Sequence, residues 1–507
     1  YKHHWGSHRF EGLVGYSYQY DEYEGFYANN TNFMSDFYQY FNLGVGQYLK
    51  EGKAGMGSGK EDSKLIGFFG RVSYGYADRY NVLVSLRHEG SSRFGDNHKW
   101  GTFPSASLGW TISNEKFMKQ FTWLDNLKLR AGFGVTGVIP YSNYLSKTIW
   151  KLGTSYFYDN GTWKQGLAVT QNPNPDLKWE KSTEFNVGLD WSVLDGRLGG
   201  TVDLYSKKTT DMLYEYTVPT PPNLVDKTLA NVGQMRNRGI EIAVNAVPVR
   251  FKDFDWKTTL TFAYNANKLL SLSNDLYETA NEEDVAYLGE PISLPTQRRE
   301  VGKALGQWFG LKSVGVSERG LWMIENPKTG EAVELTDNML TDSNYKQYLG
   351  NAIPKVNLGW SNTFRYKGFD LNMQFTGQFG FKIFNEARAY YENNAVTYNR
   401  MKSAADKQYG QNVLSVAQKQ TFVSYYLENG NYLKLSNVTL GYNVPLKKNN
   451  YVKALRAYVS AANLFTITSY SGLDPELSNS DPQYSGIDSR DKYPSVRTFT
   501  FGLNVTF

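Results

Sequence analysis

The chain has 507 residues, no cysteine, and a formal net charge of +5 from 54 basic and 49 acidic side chains. The lack of cysteine excludes a disulfide framework and thiolate metal sites, and so small a charge excess points neither to nucleic acid nor to a polybasic arm. Mean hydropathy is -0.51 and no run of about 18 apolar residues occurs, which excludes an ordinary transmembrane helix but not a membrane wall built from strands. Aromatic residues reach 16%, with 38 Tyr and 12 Trp, enough to furnish girdles at two membrane interfaces. A soluble β-sandwich or a carbohydrate-binding protein is the alternative reading of that composition.

The chain opens Tyr1-Lys2-His3, without Met or a leader, and reads as a processed or partial chain. His3, His4 and His8 have no carboxylate or cysteine at ligand spacing, so they do not make a metal site. Gly12 to Tyr20 is the first strand, followed by a polar, Gly-rich stretch over 21–64. Ile66, Phe68, Val72, Tyr74 and Tyr76 then share one face, Ala77-Asp78-Arg79 turns, and Tyr80, Val82, Val84 and Leu86 return. Thr102 to Ile112 and Leu127 to Val135 form another pair, before a long aromatic stretch over 137–181. The cleanest alternation sets Phe185, Val187, Leu189, Trp191 and Val193 against Glu184, Asn186, Gly188, Asp190 and Ser192, and Asp195-Gly196 supplies its hairpin turn. After a loop over 209–236, Ile240 to Ala246 pairs with Trp256 to Tyr264. The longest insertion covers 269–353. Val356 to Phe364 and Phe369 to Phe375 follow, joined at Lys367-Gly368, and a loop over 381–429 leads to Val438 to Tyr442 and Leu455 to Ala461. A last loop over 465–496 precedes Arg497 to Phe507, where Phe499, Phe501, Leu503, Val505 and Phe507 alternate with Thr498, Thr500, Gly502, Asn504 and Thr506.

About fourteen strands are predicted, with short and long connections in alternation, the asymmetry of a transmembrane antiparallel β-barrel with turns on one side and loops on the other. The polar face carries Glu184, Asp190, Asp203, Glu241, Lys257, Asp370 and Gln374. Such groups belong in a wet lumen, since Lys or Arg facing mid-bilayer lipid costs roughly 2–4 kcal/mol. A one-residue slip would invert both faces, so the alternation also fixes register.

Several stretches resemble, in order along the chain, the barrel of SusC/RagA-type TonB-dependent outer-membrane transporters. They are Gly90-Ser91-Ser92-Arg93-Phe94-Gly95 with Trp100 to Ser105 and Leu108-Gly109-Trp110, and Asn174-Pro175-Asp176-Leu177-Lys178-Trp179-Glu180. They continue with Asn231-Val232-Gly233, Asn237-Arg238-Gly239-Ile240-Glu241, Tyr432 to Asn437, Asn463-Leu464-Phe465, Asp474-Pro475-Glu476 and Tyr493-Pro494. The resemblance implies a barrel of about 22 strands with an internal plug. It also implies import of a large nutrient, usually an oligosaccharide and sometimes a peptide. A SusD-like lipoprotein would form a lid, and the TonB–ExbB–ExbD complex would supply energy through a TonB box. Residues 1–507 contain neither plug nor TonB box, so they are expected to be the carboxyl-terminal part of such a barrel. The closing strand at Arg497 to Phe507 is then expected to pair with a strand outside these residues rather than with Gly12 to Tyr20. Phe507 is expected to act as an assembly signal.

No enzyme motif survives. There is no GxSxG, HExxH or CxxC, and Gly70 to Gly75 lacks the Lys-Ser/Thr of a phosphate loop. The acidic run Glu282-Glu283-Asp284 lacks EF-hand spacing, and neither a metal nor an organic cofactor is expected. Chemistry should reside in binding. Sugar rings stack on aromatics, and their hydroxyls need amides and carboxylates. Trp150, Tyr158 and Trp163 in one loop and Tyr390, Tyr391 and Asn393 in another are the candidate substrate contacts. Gly306-Gln307-Trp308-Phe309-Gly310 resembles a family stretch and is given a structural role. A siderophore, cobalamin or peptide receptor on the same architecture, a passive porin and a surface adhesin are the rival functions.

Overall fold

The computed structural model describes residues 1–157, 161–273, 281–446, 451–477 and 484–507. Among the described residues, fifteen antiparallel strands form one meandering sheet in which every strand pairs with its neighbours along the wall. They are β1 (Lys2–Trp5), β2 (His8–Asn29), β3 (Gly55–Tyr76), β4 (Tyr80–Ser91), β5 (Trp100–Thr111), β6 (Leu124–Val138), β7 (Glu180–Val193) and β8 (Leu198–Thr217). The wall continues with β9 (Lys227–Phe251), β10 (Phe254–Ser271), β11 (Val356–Tyr366), β12 (Phe369–Phe379), β13 (Tyr432–Asn443), β14 (Ala454–Thr468) and β15 (Thr498–Thr506).

The register carries the sequence alternation across the whole wall. One row runs Phe10, Tyr74, Val82, Leu108, Ala131, Val187, Leu204, Ile240, Tyr264, Val356 and Phe379, apolar at every strand from β2 to β12. A row of opposite parity runs Arg71, Ser85, Ser105, Gly134, Glu184, Lys207, Asn237 and Asn267. Since side chains alternate between faces, these rows are the two surfaces of the wall. Tight connections lie at one end. Ala77 (φ 53°) and Asp78 (φ 55°) take left-handed conformations in the turn between the paired Tyr76 and Tyr80, Asp195 and Gly196 do so between Val193 and Leu198, and Lys367 does so in the two-residue turn between Tyr366 and Phe369. Among the described residues, β15 pairs only with β14, and β2 above Glu11 pairs only with β3, so the sheet is open at both edges.

Two stretches expected as loops are largely strand. Within 21–64, β2 and β3 run on as a two-stranded ribbon as far as the pair Asn29–Gly55, and within 209–236, β8 and β9 run on to the pair Thr217–Lys227. Their sequences lose the apolar–polar alternation there, but backbone hydrogen bonding between two adjacent long strands does not depend on it. No helix among the described residues is long and apolar enough to cross a membrane, which says nothing of crossing by strands.

Candidate functional site

The described residues of the long connections 272–355, 380–431 and 469–497 do not lie separately on the wall. They fold into one body with its own core, containing Trp308, Trp322, Ile324, Phe384, Tyr390, Leu414, Phe422, Val423, Tyr426 and Ile487. Backbone pairing knits them together. Phe384 pairs in parallel with Ile487, and Leu311 forms a parallel bridge with Val423. Trp308 is fully buried and donates from Nε1 to the Lys382 carbonyl at 3.1 Å, in keeping with the structural role given to its stretch. Its ring stacks obliquely on Phe384 and Phe422, and Gly486 packs against it so closely that an added Cβ would lie 2.9 Å from the indole. One indole therefore touches all three connections.

Several charges within this body are neutralised locally. Arg388, on a short helix Glu386–Tyr391, grips Glu392 in a fork (2.5 and 3.2 Å) and donates to Glu428 at 2.9 Å. Glu428 also accepts from the Ser471 amide and hydroxyl, both at 2.7 Å. Burial alone would raise the Glu428 pKa, but Arg388 and Ser471 outweigh it and hold the carboxyl below its ordinary 4.5. With its folded pKa depressed, this carboxylate stabilises the body fully above pH 4.5, and that stabilisation is lost as pH falls through the folded value. Proteolysis of 380–431 should therefore accelerate as pH drops below about 4.5 in the native protein, and Glu428→Gln should flatten that dependence. An unchanged pH profile in the variant would refute the assignment. The acidic run is equally structural: Arg298 bonds Asp284 at 2.6 Å and Glu282 at 2.9 Å, and Arg299 pairs with Glu283 at 3.3 Å.

The motif stretches act as staples. Asn172 donates to the carbonyls of Val225 and Lys227 and accepts from the amides of Leu224 and Val225, locking the loop after β6 to the β8–β9 ribbon. Asn174 and Asn231 add further bonds along the same ribbon. Gly95 receives this loop with no room to spare, because a Cβ there would lie 2.0 Å from the Pro175 carbonyl oxygen. Phe94, Phe103 and Trp179 close a small core beside it. Lys434 of β13 is buried and reaches Asp474 at 3.0 Å and Glu476 at 2.8 Å, joining two motif stretches that lie 40 residues apart. Asn463 takes a left-handed conformation (φ 54°) at the bulge between β13 and β14, a backbone state that asparagine tolerates.

The polar face of the wall carries flat-lying ion pairs. Arg130 Nε donates to both carboxylate oxygens of Asp190 (3.0 and 2.9 Å), and its Nη2 reaches Asp203 at 3.0 Å by crossing Gly188, where a Cβ would lie 2.5 Å from it. Arg456 forks onto Asp370 at 3.0 and 2.6 Å.

The sequence-predicted contacts separate into two groups. Trp150 (60% exposed) and Trp163 (69%) stand on a two-stranded hairpin, Ile149–Phe157 with Trp163–Gln171, where Trp163 meets Phe157 edge-on. Tyr158 lies outside the described residues. Tyr390 is fully buried, donates to the Gly289 carbonyl at 2.5 Å and lies under Arg490, and burial pushes its pKa up to about 12. Asn393 is buried and accepts from the Ala395 amide, and Tyr391 is half-buried against the core. Tyr390 and Asn393 thus hold the loop body together rather than line its surface. His3 and His8 flank Trp5 in an aromatic stack, and no group of three or more metal-ligating side chains gathers among the described residues.

Residues 1–464 match the family described as TonB dependent receptor-like, beta-barrel. The chain belongs to that family. It is 31% identical over 524 residues to TonB-dependent receptor P3 of Formosa agariphila, covering 99% of this chain and 51% of the relative. It is 30% identical over 462 residues to TonB-dependent receptor SusC of Bacteroides thetaiotaomicron, covering 87% and 44%. Among solved structures, the RagAB peptide transporter superposes over the whole chain and 54% of the matched one, with a TM-score of 0.83 and 25% identity. The chain spans about half the length of the curated relatives it matches. Membership makes this an outer-membrane β-barrel wall and not an enzyme. The apolar rows of the receptor wall accordingly meet lipid, and its polar rows meet the lumen.

Proposed function

We propose that residues 1–507 form the carboxyl-terminal portion of a TonB-dependent importer of large nutrients, with an oligosaccharide as substrate. The observation that carries this reading is the loop body: three long connections folded as one unit at one end of a two-faced wall. A passive pore needs no such body. Open edges at β2 and β15 support completion of the wall and its plug by further segments of the same transporter. The loop body is the surface on which a SusD-like lipoprotein would rest, and the TonB–ExbB–ExbD complex would supply energy from the periplasmic side. Exposed Trp150 and Trp163 are the proposed stacking surfaces for sugar rings. Deleting the TonB box in the full-length protein should abolish uptake while leaving substrate binding intact, and uptake that persisted would sink the proposal. A peptide substrate is the second reading, favoured by the likeness to a peptide transporter. Competition between a labelled oligosaccharide and a peptide mixture for uptake separates the two.

A further inference from the structure

Strands β2 and β3 rise above the lipid-facing band. On β2 the outward series runs Phe10, Val14, Tyr16, Tyr18 and Tyr20, then changes to Glu22 and Glu24. On β3 the outward series runs Tyr76, Tyr74, Val72, Phe68 and Ile66, then changes to Lys64, Asp62 and Lys60. Each apolar series spans about eleven residues, the length of a membrane-crossing strand, so the ribbon beyond Tyr20 and Lys64 stands outside the membrane. Its other face continues the lumen row through Ser17 and Arg71. There the register sets Tyr23 opposite Glu61, Gly25 opposite Gly59, Tyr27 opposite Gly57 and Asn29 opposite Gly55.

Four glycines in this patch leave a bare backbone floor, and both tyrosine rings lie down on it. A Cβ at Gly25 would fall 2.9 Å from the Tyr23 hydroxyl, and one at Gly57 would fall 2.5 Å from the Tyr27 ring. The upper faces are open, with Tyr23 66% and Tyr27 61% exposed. Tyr205 over Gly239 lies equally flat, but it is half-buried and donates to Asn265 at 3.0 Å, as a ring placed for structure does. Among the described residues, Tyr23 and Tyr27 have no such tie. Asn29 and Glu61 flank them, and Asn143 donates to Glu61 at 3.1 Å.

A flat ring open on one side, flanked by an amide and a carboxylate, matches a pyranose: its C–H face stacks and its hydroxyl edge finds polar partners. The two Cα atoms are about 13 Å apart along the strand, a reach that fits several linked sugars rather than one. We infer that Tyr23 and Tyr27, backed by Gly25, Gly55, Gly57 and Gly59, form a stacking platform for an oligosaccharide chain at the channel mouth, which rests on the oligosaccharide reading above.

The test uses the full-length transporter in detergent micelles on an array of neutral and acidic oligosaccharides of four or more residues, followed by calorimetry with the strongest binder. The double variant Tyr23→Ala/Tyr27→Ala should bind at least tenfold more weakly, while Tyr23→Phe/Tyr27→Phe stays within twofold of the native protein. Gly57→Val should also weaken binding, because its side chain lifts the Tyr27 ring. It carries the test alone should the alanine pair fail to fold, as judged by heat-modifiable migration. Native-like affinity in the alanine pair, or in Gly57→Val where that variant stands alone, overturns the platform and leaves the import reading standing. A native protein that binds no oligosaccharide on the array overturns both.

Discussion

Replacing Trp308 with alanine should loosen all three long connections at once. Truncating a fully buried tryptophan costs about 3–5 kcal/mol, and this one also strands the Lys382 carbonyl that its indole satisfies. The indole packs on Phe384 and Phe422 from one connection and against Gly486 from another, so no neighbour can fill the space without pulling its own loop out of register. Limited trypsin digestion of the native transporter should leave 272–355, 380–431 and 469–497 intact, whereas the variant is cut in all three while its wall keeps its heat-resistant migration. Cleavage confined to 272–355 would show that the connections are independent.

Lys434→Met should have a comparable cost by a different route. Breaking a buried ion pair by removing one partner typically costs about 3–5 kcal/mol, because the other charge is left without compensation. Asp474 is the charge left behind: its side chain is 6% exposed, whereas Glu476, at 48%, can turn to water. Desolvation acts to raise the Asp474 pKa, yet Ser495, the Glu476 amide and Lys434 together hold it below the usual carboxylate range. Removing the ammonium should therefore free the segment that carries Asp474 from the wall. The readout is the accessibility of a single cysteine introduced at Ser471, which should react faster with a membrane-impermeant maleimide in the variant. Adding Asp474→Asn should return much of the protection. If Lys434→Met alone labels at the native rate, the ion cluster does not tether this segment.

Where the environment differs across a strand, the sequence records it. Leu189, Val202, Ile242 and Phe262 alternate with polar or small neighbours because lipid and water lie on opposite sides of them, so pairing and register can be read directly. Past Tyr20 both faces of the β2–β3 ribbon are largely exposed, and past Thr210 the β8–β9 ribbon packs Tyr216, Ala230 and Val232 in a local cluster, so neither extension has lipid on one side and water on the other and the alternation that marks a strand is lost. The loop body was illegible for another reason. Its core draws Trp308, Phe384, Phe422 and Ile487 from separate stretches with no local period, so only their convergence identifies them. Tyr390 and Asn393 illustrate the hazard: a tyrosine and an amide in a loop read as ligand contacts until burial reveals that they satisfy Gly289 and Ala395. The motif stretches were recognisable as patterns, but their function as staples becomes visible only with Asn172, Asn231 and Lys434 in contact with their partners.

The shared core of the three connections sets a rule for exchanging specificity between relatives. A single connection transplanted from a homologue would meet two foreign ones across Trp308, the Phe384–Ile487 pairing and the Leu311–Val423 bridge, and would be rejected as a mismatched core. Residues 272–355, 380–431 and 469–497 must therefore be inherited, swapped or redesigned as one cassette, whereas the hairpin bearing Trp150 and Trp163 and the ribbon bearing Tyr23 and Tyr27 lie outside that core and are free to diversify one at a time.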